Sequence, residues 1–126
     1  MNQQEINALV NNLYQAVDNK DVDYLDRHLA NKVRFRIGNH PALTNKSEIL
    51  SANQSFFSSI TSMKHSIDRI VHQHEPTSDT THISCHGTVD YVRLDESEHS
   101  AVFSTSLSVQ NGEIVDYLVF ADLSGL

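Results

Sequence analysis

The chain has 126 residues, 16 acidic and nine basic side chains, a formal net charge of −7 and a single cysteine. This length suits one domain with one core, so we expect a single domain over residues 1–126. The negative surface disfavours nucleic-acid binding, and the lone cysteine cannot form an intramolecular disulfide. The polar start MNQQEINALV and the lack of a long apolar run predict a cytoplasmic protein that does not bind membranes.

The first half of the chain predicts two helices, a strand and a third helix. The first helix has an apolar stripe at the i, i+3, i+4 and i+7 spacing. Asp21 can cap a second, shorter helix, and the alternation in KVRFRIGN indicates a strand. Asn45 and Glu48 resemble a capping box in front of a third apolar stripe, in which Asn53 is the polar exception.

The second half predicts a four-stranded antiparallel meander. Alternating segments cover residues 63–74, 81–94, 99–109 and 113–122, and turn residues separate them. Gly87 lies midway along the second of these strands and suits a bend or bulge. We therefore predict an α+β fold in which three N-terminal helices pack on a curved, mostly antiparallel sheet around a ligand-sized pocket.

The turn positions predict which side chains share a face of the sheet. They place His65 opposite Asp90, Asp90 opposite Phe103, and Thr105 opposite Leu118. One face then combines apolar groups with a few polar ones, which is the composition expected of a small-molecule site. The members of this face are Met63, His65, Ile67, Thr88, Asp90, Phe103, Thr105, Leu107, Ile114, Leu118, Phe120 and Asp122.

The opposite face of the predicted sheet is also rich in apolar side chains. Its members are Ile83, Cys85, Val89, Tyr91, Val102, Val115, Tyr117 and Val119. A sheet that is apolar on both sides must cover both, so we expect helices on one side and a second subunit on the other. The prediction is a homodimer that forms through the outer face of the sheet. Cys85 is expected to be a buried, inert thiol.

Four segments carry a family resemblance: LYQAVDNKDVDYLDRHLANKVRFRIGN, FFSSITSMKH, GTVDYVRLD and GEIVDYLVFADLSGL. With the element order, they resemble the SnoaL-like branch of the nuclear transport factor 2-like superfamily over nearly the whole chain. The resemblance implies a cone-shaped α+β barrel. The superfamily includes ketosteroid isomerases, limonene epoxide hydrolases, polyketide cyclases, scytalone dehydratase and proteins used only for binding or assembly, so the fold does not choose the activity.

The catalytic patterns of these relatives match the chain only in part. Tyr14 matches the tyrosine of the isomerases, but Ile37 stands where their base is expected. Asp90 resembles one aspartate of the epoxide hydrolases, but Thr88 replaces their arginine. Asp122 in VFADLSGL resembles the acidic residue that cyclase-type members place near the end of the last strand.

Three residues are candidates for acid/base chemistry. Asp90 and His65 form a candidate pair, because a carboxylate opposite an imidazole orients the ring and raises its pKa. The alternative is an ordinary cross-strand polar pair. Asp122 is a candidate general acid or base if it is partly buried, and otherwise a solvated strand-end carboxylate or a cap of the C-terminal segment.

The remaining candidates would bind a ligand. Tyr14 and Asn53 can donate hydrogen bonds at the pocket edge, although each can equally be a structural residue. The other expected ligand contacts are Phe103, Thr105, Leu118 and Phe120. His72, His74 and His82 approach one another near the first hairpin, but no carboxylate or thiol clearly completes the group, so we expect no metal site.

No motif for a phosphate, a cofactor or a nucleophile triad is present, and we expect no cofactor. Two hypotheses therefore remain open. One is a small-molecule-binding isomerase, cyclase or hydrolase that acts by cofactor-free proton transfer on an apolar, carbonyl-bearing compound. The other is a non-catalytic ligand-binding or dimerisation module of the same fold.

Overall fold

Three helices pack on one five-stranded sheet. A computed structural model describes residues 1–126. Its elements are α1 (Gln3–Asp18), α2 (Val22–His28), β1 (Leu29–Ile37), α3 (Lys46–Ser58), β2 (Ile60–Glu75), β3 (Thr80–Arg93), β4 (Glu98–Gln110) and β5 (Glu113–Ala121). The predicted α+β fold and the predicted order of its elements are confirmed. None of the helices combines the length and the apolar character needed to cross a membrane.

The helices begin at side chains that satisfy their free backbone N–H groups. At α1, the Asn2 side chain accepts a hydrogen bond from the Glu5 N–H at 2.8 Å, and the Glu5 carboxylate accepts one from the Asn2 N–H at 3.0 Å. Asp21 and Asn45 cap α2 and α3 in the same position, at 3.1 and 3.2 Å. The two caps predicted from the sequence are therefore confirmed.

The strand order in the sheet is β1-β5-β4-β3-β2, and only the β1–β5 pair is parallel. The predicted antiparallel meander is confirmed, while the partner of the first strand was not predicted. This parallel pairing places Phe35 of β1 opposite Tyr117 of β5. The helices cover the concave face of the sheet, and the buried apolar side chains form one cluster between the two layers.

A bulge changes the register between β2 and β3. Near the β2–β3 turn, the residue pairs of the two strands have the predicted register. A shift between Ile67 and Arg69 displaces the pairs farther from the turn by one residue. His65 therefore lies opposite Val89, and its predicted pairing with Asp90 is wrong. Because successive side chains on a strand alternate between faces, this shift places Asp90 on the outer face.

The turn between β3 and β4 also differs from the prediction. The Arg93 N–H donates to the Ser97 carbonyl oxygen at 2.8 Å, so the loop closes earlier in the chain than we expected. Asp90 consequently lies opposite Ser100, whereas its predicted partner Phe103 lies on the concave face.

A second bulge lies between β4 and β5, where the register shifts between Ser108 and Val109. Thr105 therefore lies opposite Val119 instead of Leu118. The shift turns Leu118 and its neighbour Phe120 to the outer face, where Phe120 is 44% exposed.

The predicted faces are correct for β2 and β4, whereas those of β3 and of most of β5 are exchanged. Most residues expected on an apolar outer face are buried beneath the helices; these are Ile83, Cys85, Val89, Tyr91 and Tyr117. The outer face is instead rich in small polar side chains, which include Ser66, Ser84, Thr88, Ser100, Ser104 and Ser106. The predicted continuous apolar outer face is therefore wrong, and the exposed apolar side chains there are few.

Candidate ligand cavity and acid–base dyad

A cavity lies between the helices and the concave face of the sheet, and seven of its 16 lining residues carry aromatic rings. These rings belong to Tyr14, Phe35, Phe56, Phe57, Tyr91, Phe103 and Tyr117. The enclosed free space is about 50 Å³, and the volume counted out to the open mouth is about 510 Å³. A mostly apolar wall with a few polar groups is typical of a small-molecule site.

Three tyrosines contribute to the polarity of this wall, together with Asn53 and His65. The Tyr14 hydroxyl hydrogen-bonds to the fully buried Thr105 hydroxyl. Burial raises the pKa of Tyr14 and of Tyr117 well above the usual value. Burial, with a smaller contribution from the negative charge of Asp18, raises the pKa of Tyr91 to about 12. All three tyrosines are therefore neutral hydrogen-bond donors at physiological pH.

His65 and Asp18 form an acid–base dyad at the cavity wall. The Nδ1 atom of His65 lies 2.6 Å from Asp18 Oδ1, and the backbone N–H of His65 donates to Asp18 Oδ2 at 3.0 Å. The side chains of His65 and Asp18 are only 8% and 20% exposed. In the neutral ring the carboxylate holds the proton on Nδ1, so Nε2 is the free basic atom. The ring also packs on Tyr14 and Phe103, at centroid distances of 4.5 and 5.0 Å.

Asp18 was not identified as a candidate from the sequence. It is the last residue of α1 and follows Tyr14 by four positions, so both side chains lie on the helix face that packs against β2. The sequence does contain one signal for its role. Asp18 carries a carboxylate at the position where the apolar stripe of α1 would continue by one more turn. A charged group in that position needs a buried partner, and His65 is that partner.

A model of the SnoaL-like domain matches residues 10–117, which is most of the chain. The chain belongs to the SnoaL-like family. The match includes the dyad and the three cavity tyrosines. Among curated proteins, none has a sequence that matches this SnoaL-like chain.

Solved structures share the fold of this SnoaL-like domain at low sequence identity. AusH from Aspergillus nidulans is 15% identical with a TM-score of 0.77, over 97% of this chain and 86% of that one. A putative dehydratase of the NTF2-like family from Streptomyces avermitilis is 12% identical with a TM-score of 0.81, over 94% and 95%. An LEH-like epoxide hydrolase from M. tuberculosis is 14% identical with a TM-score of 0.75, over 94% and 83%. At these identities the likeness establishes the fold alone.

Several residues predicted from the sequence lie at the cavity of this SnoaL-like domain. Tyr14, Asn53, His65 and Phe103 line it, and Thr105 lies directly behind Tyr14. The Asn53 amide nitrogen donates to the Ile49 carbonyl oxygen at 2.9 Å, which orients the amide group at the wall. The cavity therefore brings together one predicted acid/base residue and three of the six predicted ligand contacts.

The other predicted residues lie elsewhere. Asp90 is exposed on the outer face, where it accepts a hydrogen bond from the Ser100 hydroxyl at 2.6 Å. Leu118 and Phe120 lie on that face too, and the Arg36 guanidinium stacks 5.7 Å from the centre of the Phe120 ring. None of these side chains lines the cavity, because the register shifts turn them to the opposite side of the sheet.

Asp122 is a solvent-exposed capping residue. Its carboxylate accepts hydrogen bonds from the Ser124 hydroxyl at 2.7 Å and from the Ser124 N–H at 3.1 Å. These bonds lower the pKa of Asp122. A general acid near neutral pH needs a raised pKa, so the environment of Asp122 is opposite to the one expected for that role.

The remaining histidines near the first hairpin make local pairs. His82 lies between Glu75, at 2.8 Å from Nε2, and Ser108, at 2.9 Å from Nδ1. His74 pairs with Asp79 at 3.4 Å. No group of three or more metal-ligating side chains is close enough to hold a metal ion. The predicted burial of Cys85 is confirmed, and desolvation raises its pKa to about 11.

A polar groove adjoins the dyad. It runs between α1 and β2, has a volume of about 450 Å³, and is lined by Asn11, Gln15 and Lys64. The groove and the cavity share three wall residues, which are Tyr14, Met63 and His65. His65 is therefore a shared wall residue between an open polar space and an enclosed apolar one.

Alkaline pH is expected to destabilise the fold through the buried tyrosines. The pKa of Tyr91 is raised from 10.0 to about 12, so the unfolded chain loses this proton first. The free energy of unfolding should be insensitive to this group below pH 10 and should fall as the pH rises from about 10 to about 12. Urea unfolding at several pH values measures the decline, and Tyr91→Phe should reduce it. Native tyrosines that all ionise near pH 10 would contradict the expectation.

Proposed function

We propose that this protein binds a small, mostly apolar, carbonyl-bearing compound and catalyses cofactor-free proton transfer on it. The observation that carries this proposal is the Asp18–His65 dyad at the wall of an aromatic cavity. An imidazole that is oriented by a carboxylate is a suitable general base near neutral pH. Asp90 and Asp122 are left out of the proposed chemistry because neither side chain lines the cavity.

The proposed step begins with the substrate carbonyl oxygen accepting a hydrogen bond from a cavity tyrosine. His65 Nε2 removes a proton from the carbon next to the carbonyl group. The C–H electron pair forms a carbon–carbon double bond, and the carbonyl π electrons move to oxygen, where the tyrosine O–H stabilises the enolate. The Asp18 carboxylate stabilises the imidazolium that forms.

The fate of the enolate decides the overall reaction. Where the substrate has a carbon–carbon double bond β,γ to the carbonyl group, a dienolate forms, and return of the proton from His65 to the γ carbon completes an isomerisation. Attack of the enolate carbon on a second carbonyl group instead closes a ring, and the alkoxide that forms takes the proton from His65. An isomerase or a cyclase is therefore favoured over a hydrolase, because the wall offers a base and neutral donors but no second carboxylate to activate water.

Deuterium exchange tests this proposal without knowledge of the natural substrate. The protein is incubated in D₂O with a panel of cyclic and aromatic ketones, and the loss of the proton signal next to the carbonyl group is followed by NMR. We expect exchange above the buffer rate for the compounds that bind. Ketones that bind at the cavity and show no protein-dependent exchange would contradict the enzyme proposal.

A non-catalytic binding module is the second candidate. The small enclosed volume, about 50 Å³, favours it, because an enzyme pocket must enclose most of its substrate. Binding without exchange in the experiment above is the result that this alternative predicts.

We also propose that the protein is a cytoplasmic homodimer that forms through the outer face of the sheet. The apolar exceptions among the serines of that face include Val102, Leu118 and Phe120, and Val102 is 73% exposed. Val102→Lys is expected to shift the protein to a monomer in size-exclusion chromatography with light scattering. Leu94→Lys is the matched control, because Leu94 is 65% exposed but lies in the β3–β4 loop. A monomeric wild-type protein at micromolar concentration would count against the dimer.

A further inference from the structure

The segment that follows β5, residues 122–126, forms part of the cavity wall. Leu123 lines the cavity, and both Leu123 and Leu126 pack against the core cluster. The segment is folded into a short turn, in which the Leu126 N–H donates to the Leu123 carbonyl oxygen at 3.0 Å. The Asp122 carboxylate stabilises the same turn through Ser124. A compact, partly apolar unit therefore covers this side of the cavity.

Side chains of neighbouring strands hold the segment in place. Arg93 Nη2 donates to the Gly125 carbonyl oxygen at 2.5 Å, and Nη1 of the same guanidinium donates to the Glu98 carbonyl oxygen at 2.8 Å. The His99 ring lies directly against Gly125, where an added Cβ would be 2.8 Å from the ring Cε1 atom. An alanine at position 125 would therefore require the His99 ring or the turn to shift.

The backbone contributes little to this attachment. The sheet pairing ends at Ala121, and the only backbone hydrogen bond within residues 122–126 is the one inside the turn. Segments held by a few side-chain contacts open at a small fraction of the free energy of global unfolding. Release of Leu123 would also enlarge the cavity, whose enclosed space of about 50 Å³ is far below the roughly 300 Å³ of a small ligand pocket.

We propose that residues 122–126 are a lid, with Leu123 as the side chain that plugs the cavity and Arg93 as its latch. Opening of the lid admits the ligand, and the size of residue 123 sets the size of the ligand that the closed cavity accepts. The nature of the ligand rests on the proposed function, whereas the movement of the lid does not.

Thiol labelling tests the lid with no ligand present. Leu123→Cys places a thiol on the plug, and Ser124→Cys places one on the exposed side of the same turn. Cys85 gives little background, because it is 2% exposed and its pKa is about 11. With the disulfide reagent DTNB, we expect the thiol at position 123 to react at least about tenfold more slowly than the thiol at position 124, since Leu123 is partly buried against the core while the lid is closed and residue 124 is exposed.

Release of the latch should remove this protection. In the Leu123→Cys background, both Arg93→Ala and Gly125→Ala are expected to accelerate labelling several-fold, and neither should change the labelling of Ser124→Cys. The two substitutions act differently, since one removes the hydrogen bond and the other crowds the contact between the turn and the His99 ring. Equal labelling rates at positions 123 and 124, or no acceleration by either substitution, would overturn the proposal.

Binding of the apolar fluorophore 8-anilinonaphthalene-1-sulfonate tests the role of Leu123 in ligand size. Leu123→Ala is expected to bind the fluorophore more tightly than the wild type, and Leu94→Ala, altered at an exposed loop position, should bind it like the wild type. Unchanged binding by Leu123→Ala would refute the size role. Because neither assay involves turnover, a failed lid and a failed proton-transfer proposal give different results.

Discussion

Replacing His65 by Gln is expected to lower protein-dependent deuterium exchange by about 10²- to 10⁴-fold, the usual contribution of a general base. Glutamine is similar in size and can still hydrogen-bond to Asp18, so the cavity wall should remain in place. Asp18→Asn is expected to reduce the rate by about 10²-fold or more, because an asparagine amide that donates to Nδ1 selects the wrong tautomer of the ring. NMR of the exchanging ketone gives the rates, and urea unfolding verifies that each variant is folded.

Asp90→Asn is the matched control for these two substitutions. It removes a carboxylate that the sequence predicts to lie opposite His65 but that the structure places on the outer face beside Ser100. We expect exchange at the wild-type rate. Loss of exchange in Asp90→Asn together with full exchange in His65→Gln would reverse the assignment of the base and refute the proposed dyad.

Gly87→Ala is expected to destabilise the protein by about 3 kcal/mol, at the upper end of the usual cost of overpacking. A Cβ at this position would lie 1.9 Å from the carbonyl oxygen of Ser66 and 2.9 Å from its carbonyl carbon. Both atoms belong to the backbone of β2, so no side-chain movement can relieve the clash. The strand itself would have to shift, next to the bulge that sets the orientation of His65.

The control for this prediction is Gly38→Ala. Gly38 has a φ of +52°, and no atom lies within 4 Å of an added Cβ. Its substitution should cost only the left-handed backbone penalty, about 1–2 kcal/mol. The midpoints of urea unfolding compare the two variants. If Gly87→Ala is no less stable than Gly38→Ala, the close approach of Gly87 to β2 is wrong.

The sequence was sufficient to predict the helices, the strands and the fold, because these depend on local patterns. Asp21 and Asn45 are local capping signals, and the meander follows from alternation and turn residues. The partner of β1 could not be predicted in the same way, since the parallel pairing of Phe35 with Tyr117 joins distant parts of the chain. No short-range pattern records that pairing.

The candidate site was predicted less well, because it depends on register and a bulge of one residue exchanges the faces of a strand. A signal for each bulge is nevertheless present. In β2 the inward apolar positions Ile67 and Ile70 are three residues apart instead of two, and in β5 Ile114 and Tyr117 show the same interval. A prediction that assumes strict two-residue alternation ignores these intervals. It therefore assigns Asp90 and Leu118 to the wrong face of the sheet.

Asp18 was missed for a different reason. Helical periodicity identifies which residues of a helix face the core. It gives no role to a polar residue at the last position of the helix, such as Asp18. The carboxylate there acquires its role only through contact with β2, a strand more than forty positions later in the chain. Such a pair is visible only when the helix and the strand are placed together.

His65 lies between the groove and the cavity, so the two sides of its ring meet different surroundings. In the proposed reaction, water in the groove can hydrate the Asp18 carboxylate, which is 20% exposed, while the aromatic side of the ring contacts the bound compound. The charge that stabilises the imidazolium therefore keeps its hydration even when a ligand fills the cavity.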